Sequence, residues 1–270
     1  MSVGSVVVTG STKGVGFALA NELAKRGWSV VISGRTMAAV DDALGRVRQT
    51  TPNAKVFGAV VDVTSYPSVQ ALWDTAVASC GSVDMWINNA GLAISTKKII
   101  ENDPSEIQAM VTTNVIGTMF GAQVAANGML KQPKGGRIIN VLGGGSDGSF
   151  REGQAVYGAT KRGLNLFTEA LIKELKGTSV TVGSIRPGIL ITEGFVREAH
   201  EMGPERYAKQ RKAIQILGDR PQDVMPWIVD RIEKANGKHG YAISWLTTPK
   251  IILRFSTAFK KRDILSEYGI

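Results

Sequence analysis

The chain predicts an α/β fold: one doubly wound parallel sheet with helices on both faces. Three observations carry this. Short apolar runs alternate with segments of helical period from end to end, as in a parallel sheet joined by crossover helices. The first runs are apolar throughout, as strands covered on both faces must be. The first of them also passes straight into a glycine-rich turn and a helix, a junction suited to holding a phosphate. No internal repeat, low-complexity linker or second domain breaks the alternation.

Ser5–Thr9 (SVVVT) is the first strand. It feeds Gly10-Ser-Thr-Lys-Gly14-Val-Gly16 and then an amphipathic helix through Arg26. Glycines there permit a tight turn and let backbone N–H groups approach a pyrophosphate at the positive end of the helix. The spacing G-x-x-x-G-x-G is one residue longer than the G-x-G-x-x-G dinucleotide pattern. The second strand, Ser29–Ser33, ends at Ser33-Gly34-Arg35, where an NAD-binding unit would carry an acid for the ribose 2′-hydroxyl. Arg35, with Lys13 in the glycine loop, suits a 2′-phosphate instead, so the expected cofactor is NADPH.

A helix over Met37–Gln49 and a strand over Lys55–Val61 follow, the strand ending at Asp62-Val63. Ser65–Ser79 is the next helix, and Met85–Asn88 (MWIN) is a strand running into Asn88-Asn-Ala-Gly91. Asp103-Pro-Ser-Glu106 is a capping box with proline at the first helical position. The helix it opens runs to about Lys131 and contains Asn114 in an apolar stretch, either a structural bridge or part of a polar relay, since a buried amide needs partners. Ser179–Ile185 is a sixth strand, leading to Arg186-Pro-Gly188 and Thr192. Residues 193–219 have helical pattern and weak order signals, as a lid over a pocket would. Pro221–Ala235 is helical, with Pro226 loosening its first turns, and Tyr241–Ser244 is a last strand. The main domain spans 1–248, and 249–270 is an apolar and basic C-terminal extension.

The chemistry centres on 140–161, NVLGGGSDGSFREGQAVYGATK, where a strand from Arg137 breaks into glycines at Gly143 and a helix starts near Val156. Tyr157 and Lys161 are four apart and share one helix face. A phenol has an unperturbed pKa of about 10, and a nearby ammonium lowers it. With a hydroxyl from the preceding loop, Ser146, the pair has the parts to move a proton to or from a carbonyl oxygen.

Cys80 is the only cysteine, which excludes an intrachain disulfide or cysteine metal cluster and fits a reducing compartment. It is expected as a small buried residue late in a helix. His200 and His239 match no ligand spacing, so no metal is expected. No signal or transit peptide is apparent before Val3, and no apolar run is long enough to span a bilayer. A cytoplasmic protein is expected. The net charge of +9 is uneven: residues 205–220 and 249–270 each carry five Lys/Arg against two acids, so each holds +3. Such segments are solvated faces or attract an anionic lipid surface or acidic partner. No nucleic-acid-reading module accompanies the charge. In the tail, a helical reading gathers Ile251, Ile252, Phe255 and Phe259 on one side among Lys250, Arg254, Lys260, Lys261 and Arg262. That pattern serves self-docking, closure over an apolar substrate, or peripheral contact with a membrane, self-docking foremost.

TGSTKGVG, Asp62-Val63, NNAG, Asn114, YGATK and RPG–Thr192 occur in the order and spacing of the short-chain dehydrogenase/reductase superfamily, which the chain resembles over about 240 positions. The resemblance implies a Rossmann-type sheet and an Asn–Ser–Tyr–Lys tetrad. It makes Tyr157 the acid/base, gives Lys161 the nicotinamide ribose to hold, and lets Asn114 position a water in the proton relay. It places the cofactor against Gly10, Ser11, Thr12, Lys13, Val15, Arg35, Asp62, Val63, Asn89, Ala90, Leu190 and Thr192. The family's serine falls about where Gly143 or Gly144 stands. A loop one residue longer than usual brings Ser146 into that role, with Ser149 as the fallback.

VDMWINNAG, the GGGSDGS loop before YGATKRGL and the stretch YAISWLTTPKIILRFSTAFKKR are similar to the chlorophyll b reductases. That implies NADPH-dependent reduction of a formyl group on a chlorin ring to hydroxymethyl. Reduction or oxidation of another hydrophobic carbonyl or alcohol (lipid, steroid, quinone) is the alternative. A third reading is a redox-sensing NADP-binding protein without turnover, which would not need the Tyr157/Lys161 pair. The family's habit of pairing its long central helices implies a homodimer or homotetramer, with Met110, Met119, Phe120, Leu166 and Phe167 as the apolar outer residues.

Overall fold

The computed structural model describes residues 3–94, 96–258 and 262–270. Seven parallel strands form the main sheet: β1 (Ser5–Val8), β2 (Ser29–Gly34), β3 (Val56–Val60), β4 (Met85–Asn88), β5 (Gly136–Val141), β6 (Val180–Arg186) and one further strand at the C-terminal edge, Tyr241–Ser244. Their spatial order is β3-β2-β1-β4-β5-β6 and then that edge strand, so the winding reverses between β1 and β4. In open sheets of this kind, ligands bind in the crevice beyond the carboxyl ends of the strands at such a switch point.

The central strands are buried on both faces, and alternate residues serve two cores. Val6, Val8, Ile87 and Ile139 pack beneath α1 (Gly14–Lys25), α2 (Met37–Thr50) and a helix over Pro221–Lys234. Val7, Trp86, Ile138 and Val182 pack against the other face, where α3 (Tyr66–Cys80), α4 (Pro104–Val111), a π turn (Thr112–Ile116), α5 (Gly117–Met129) and α6 (Ala155–Glu174) lie. Helices therefore cover both faces, as expected. The helix opened by the capping box is one run from Pro104 to Met129, widened by the π turn at Asn114. Among the apolar residues expected on outer faces, Met110 is fully buried, because it falls on the core side of the run. Phe120 and Phe167 pack onto the second core, Phe120 edge-on to Tyr66. Met119 and Leu166 are exposed, together with Val111 and Ile116.

After β6 come β7 (Ile189–Leu190), α7 (Glu193–Glu201), α8 (Pro204–Leu217) and β8 (Gly218–Asp219), the short strands pairing in parallel as a separate two-stranded sheet. The Pro221–Lys234 helix, α9, keeps Pro226 inside it; the Pro226 carbonyl accepts from Arg26 Nη2 at 2.7 Å. The edge strand Tyr241–Ser244, β9, is followed by α10 (Thr248–Ser256). Cys80 ends α3 half-buried rather than fully buried, since the last turn faces partly outward. His239 is structural: Nε2 donates to the Ile172 carbonyl at 2.5 Å and Nδ1 accepts from Val182 N–H at 3.3 Å.

The tail does dock on its own fold, but not by the expected face. The link is Asp219, buried at 4% exposure. Arg254 donates to both its oxygens at 2.8 and 3.0 Å, Arg262 at 2.7 Å and Trp245 Nε1 at 2.6 Å. Ile264 and Leu265 then bury against Ile191 and Ile214. Ile252, Leu253 and Phe255 face outward at 64%, 61% and 49% exposure. The expected apolar stripe is thus displaced, because Arg254 must face inward to reach Asp219. Phe259, Lys260 and Lys261 lie outside the described residues.

Candidate active site

The loop between β1 and α1 meets the loop after β4 at the switch point. Thr9 joins them: its hydroxyl donates to Ile87 O at 3.3 Å and accepts the N–H groups of Asn89 and Ala90, both at 3.0 Å. Asn89 Nδ2 returns to Thr9 O at 2.9 Å and Gly10 O at 3.1 Å. Gly10 has φ +61°, and a Cβ on it would lie 2.8 Å from the Ala90 backbone. A Cβ on Gly16 would lie 2.3 Å from Asn89 Nδ2. These glycines allow two backbones to touch. Asn89 and Ala90, expected against the cofactor, use their backbone N–H groups and the Asn89 amide nitrogen here to shape the glycine loop.

Ser11 is likewise an internal strut. It is fully buried, with its hydroxyl donating to Val8 O at 2.6 Å and accepting from Ser33 N–H at 2.9 Å. Its own N–H donates to Ser33 O at 2.9 Å. The Ser11 side chain therefore braces the glycine loop from inside. Val15 packs partly on the first core and Leu190 is buried in it.

The first turn of α1 fits a pyrophosphate. Lys13 is the N-cap and provides no side-chain cap, and the turn holds no acid. The earliest N–H groups of a helix lack intrahelical partners and sit at its positive end. Thr192 stands across from this turn, its Cγ2 3.7 Å from where a Cβ on Gly14 would be. Thr192 also caps α7, accepting from Phe195 N–H at 3.2 Å. Lys13 and Arg35 are exposed. Arg35 is not wholly free of carboxylates: Asp62, at the end of β3, feels its charge. Asp62 is occupied, however, accepting from the Thr64 hydroxyl at 2.7 Å and the Thr64 N–H at 2.9 Å, which hold its pKa low. Val63 is buried and faces Gly117, where a Cβ would come within 2.8 Å of its methyl.

Tyr157 and Lys161 lie on one face of α6, the lysine Nζ 5.8 Å from the phenol ring centre. Lys161 is buried at 6% exposure and donates to the Val141 carbonyl at 3.2 Å. Burial pushes its ammonium down to about 8. Burial pushes the Tyr157 phenol up to about 12, the Glu198 carboxylate of α7 adding to the rise. This corrects the expected lowering of the phenol by the ammonium, because desolvation dominates both groups and favours their neutral forms. A neutral phenol is the form that gives up a proton.

Asn114 is fully buried in the π turn. Its Oδ1 accepts from Leu92 N–H at 2.7 Å, and Nδ2 donates to Leu92 O at 2.9 Å and Thr160 Oγ1 at 3.1 Å. It ties the segment after Gly91 to α6. Its amide makes the structural bridge, the first of the two roles left open for it. Thr160, missed in the sequence, also donates to Tyr157 O at 2.7 Å. Behind it, Trp86 Nε1 donates to Asn88, Asn88 to Asn140 and Asn140 to Thr168, at 2.7, 3.0 and 3.0 Å. The amides hinted at this chain, but only the strand pairing brings them together.

Ser146 is buried at 1% exposure and its hydroxyl has no partner. Ser149 is exposed, its N–H bonded to Asp147 at 3.0 Å. Beside the first turn of α6, a mostly apolar groove of about 420 Å³ runs past Ile99, Val111, Val156 and Thr160. A larger one of about 590 Å³ lies away from Tyr157, near Thr181 and His239. Across the site, Arg206 of α8 donates to both oxygens of Glu101 and, at 3.0 Å, to Thr96 O.

A glycine-rich turn at the switch point, facing a Tyr/Lys pair on the helix after β5, defines a class of nicotinamide-dependent oxidoreductases. The family model for short chain dehydrogenases matches residues 5–202, and the chain belongs to that family. It is similar to the probable chloroplastic chlorophyll(ide) b reductase of Arabidopsis thaliana, 33% identical over 96% of this chain and 53% of that protein. The chloroplastic chlorophyll(ide) b reductase of Oryza sativa subsp. japonica is 39% identical over 84% of this chain and 66% of its own length. The chain thus spans between half and two thirds of these relatives. A diacetyl reductase of Staphylococcus epidermidis is 32% identical over 73% of this chain and 76% of that one. Among solved structures, levodione reductase aligns with TM-score 0.82 at 21% identity, covering 91% of this chain and 96% of that one. Actinorhodin polyketide ketoreductase with NADPH aligns at 0.80 and 25%, covering 93% and 99%. Among the described residues no helix is long and apolar enough to cross a membrane.

Proposed function

We propose that the chain is an NADPH-dependent carbonyl reductase of a large apolar substrate, reducing the formyl group of chlorophyll(ide) b or a related chlorin to hydroxymethyl. The observation that carries the chemistry is the pairing of Tyr157 with a buried Lys161 on one face of α6, the lysine nitrogen 5.8 Å from the phenol ring centre. Similarity along 96% of the chain to a probable chlorophyll(ide) b reductase supports the substrate.

When bound, NADPH supplies the hydride. Tyr157 gives its proton to the carbonyl oxygen, and Lys161, when protonated, stabilises the phenolate left behind. Asn114 and Thr160 hold α6 against the segment after Gly91, and Ser146 is the hydroxyl available to the loop. Lys13 and Arg35 hold the 2′-phosphate, and α7 with α8 form a lid latched by Arg206 and Glu101. The direct test is a panel of carbonyl substrates with NADPH and NADH, including a formyl chlorin, followed by cofactor absorbance. Turnover of the chlorin with NADPH supports the reading; reduction only of small carbonyls refutes the substrate.

We further propose a cytoplasmic homo-oligomer that touches anionic membrane. The exposed Val111, Ile116, Met119 and Leu166 support self-association. Ile252, Leu253 and Phe255 on α10, beside the basic α8, support the membrane contact. Co-sedimentation with anionic vesicles that weakens with salt is expected; recovery in the supernatant under all conditions would remove the membrane role.

A further inference from the structure

The second glycine-rich loop contains two kinds of glycine. Gly145 and Gly148 have φ of +84° and +88°, so backbone conformation demands them. Gly143 is not in the left-handed region, and its backbone admits any residue. What excludes a side chain there is the catalytic pair itself. A Cβ on Gly143 would lie 2.2 Å from Tyr157 Oη, 3.1 Å from Cζ and 3.4 Å from Lys161 Cε. The next residue contrasts: a Cβ on Gly144 would meet only Gln154 Oε1, at 3.4 Å.

The direction of the missing side chain matters as much as the contact. A serine at 143 would put its hydroxyl into the space beside the phenol oxygen, which a substrate carbonyl must enter. It would either pin the phenol by a hydrogen bond or push it aside. With glycine, the loop backbone seats directly against the phenol. The unpartnered hydroxyl in the loop is Ser146, three residues further on.

We propose that Gly143 is a specificity-determining residue: by withholding a side chain in front of Tyr157, it keeps the phenol oxygen for the substrate and admits a carbonyl carried on a bulky, flat frame. The inference rests on the reductase reading of the site and deepens it. Small carbonyls do not need the width, so a side chain at 143 penalises them less.

The test compares the wild type with Gly143→Ser and Gly143→Ala, using NADPH and two probes, 1-pyrenecarboxaldehyde and diacetyl. NADPH affinity, read by fluorescence, is expected within twofold of wild type, since Gly143 lies off the pyrophosphate turn. The ratio of kcat/KM for the bulky to the small probe is expected to fall about tenfold or more, the scale of a displaced reacting group. A crystal structure of Gly143→Ser provides a readout free of activity, in which the Tyr157 oxygen should have moved by about 1 Å or more to relieve the contact. An unchanged probe ratio, or a serine accommodated with the phenol in place, overturns the proposal. Failure of the wild type on every carbonyl removes the reductase reading instead, and the crystal structure still decides the contact.

Discussion

The half of the molecule around β1 to β4 and the half from β7 to the C-terminus are held together by different physics. In the first, buried hydroxyls and amides bond across neighbouring strands: Thr9 to the segment after β4, Ser11 to β2, Asn88 to β5. These bonds tie the loops after β1 and β4 to the strands beside them. In the second, the ties are charged and mostly at the rim: Arg206 to Glu101, Arg220 to Glu267, and Arg254 and Arg262 to Asp219. Only Asp219 in that set is buried. The contrast suits a rigid cofactor cradle beneath a cover that can open.

Four experiments break or sharpen the contrast. The largest effect falls on α6, the helix that carries the Tyr157/Lys161 pair. Tyr157→Phe removes the donor and keeps the ring, so turnover should drop by roughly 10²-fold or more with NADPH affinity unchanged. A loss of cofactor binding in that variant would mean that the tyrosine is structural. Next comes Arg35→Asp, which places a carboxylate where a 2′-phosphate is expected. NADPH affinity should fall about tenfold or more, a cost above about 1.4 kcal/mol, while NADH affinity changes little. Equal losses for both would place Arg35 elsewhere than on the 2′-phosphate.

In the cover, Asp219→Asn tests whether one buried carboxylate organises the tail. It leaves Arg254 and Arg262 without a charge partner, and stability should fall by about 2–4 kcal/mol. That is short of the full cost for a buried pair, because the Arg262 side chain is 41% exposed. Burial alone would raise the Asp219 pKa, but hydrogen bonds from Arg254, Trp245 and Arg262 overcome it and hold the carboxyl below its usual range. A depressed carboxylate stabilises the fold fully above its unfolded pKa, about 3.9. It loses that contribution as pH falls through the lower, folded value. Hydrogen exchange along α10 should therefore accelerate in Asp219→Asn and, for the wild type, only in acid below about pH 4. The smallest effect is Glu101→Gln, at an exposed pair. A change in kcat/KM below about threefold is expected, shrinking as salt is added. A tenfold change would make Arg206 and Glu101 part of the site rather than a latch.

The same contrast explains what the sequence disclosed. Apolar runs and glycine turns are local, so the seven-stranded parallel sheet, the capping box at Asp103 and the Tyr157/Lys161 pair were legible. The two-residue strands β7 and β8 were not, being too short to show a period. Nor was the Asp219 cluster, whose partners lie 26 to 43 residues away along the chain. The π turn hid inside an ordinary helical pattern. The Tyr157 pKa went against expectation because pattern shows which charge is near, not how dry the site is. Serine counting around the loop likewise left open which position faces the phenol; the geometry singles out Gly143.

The central claim is that this site donates a proton from Tyr157 to a formyl group on a large ring while NADPH is consumed. The measurement that tests it most directly is incubation of the purified protein with chlorophyllide b and NADPH, with pigments resolved by chromatography. The account predicts 7-hydroxymethyl chlorophyllide formed in step with NADPH loss, and none from Tyr157→Phe. Unchanged chlorophyllide b, under conditions where the same preparation reduces diacetyl with NADPH, would contradict it.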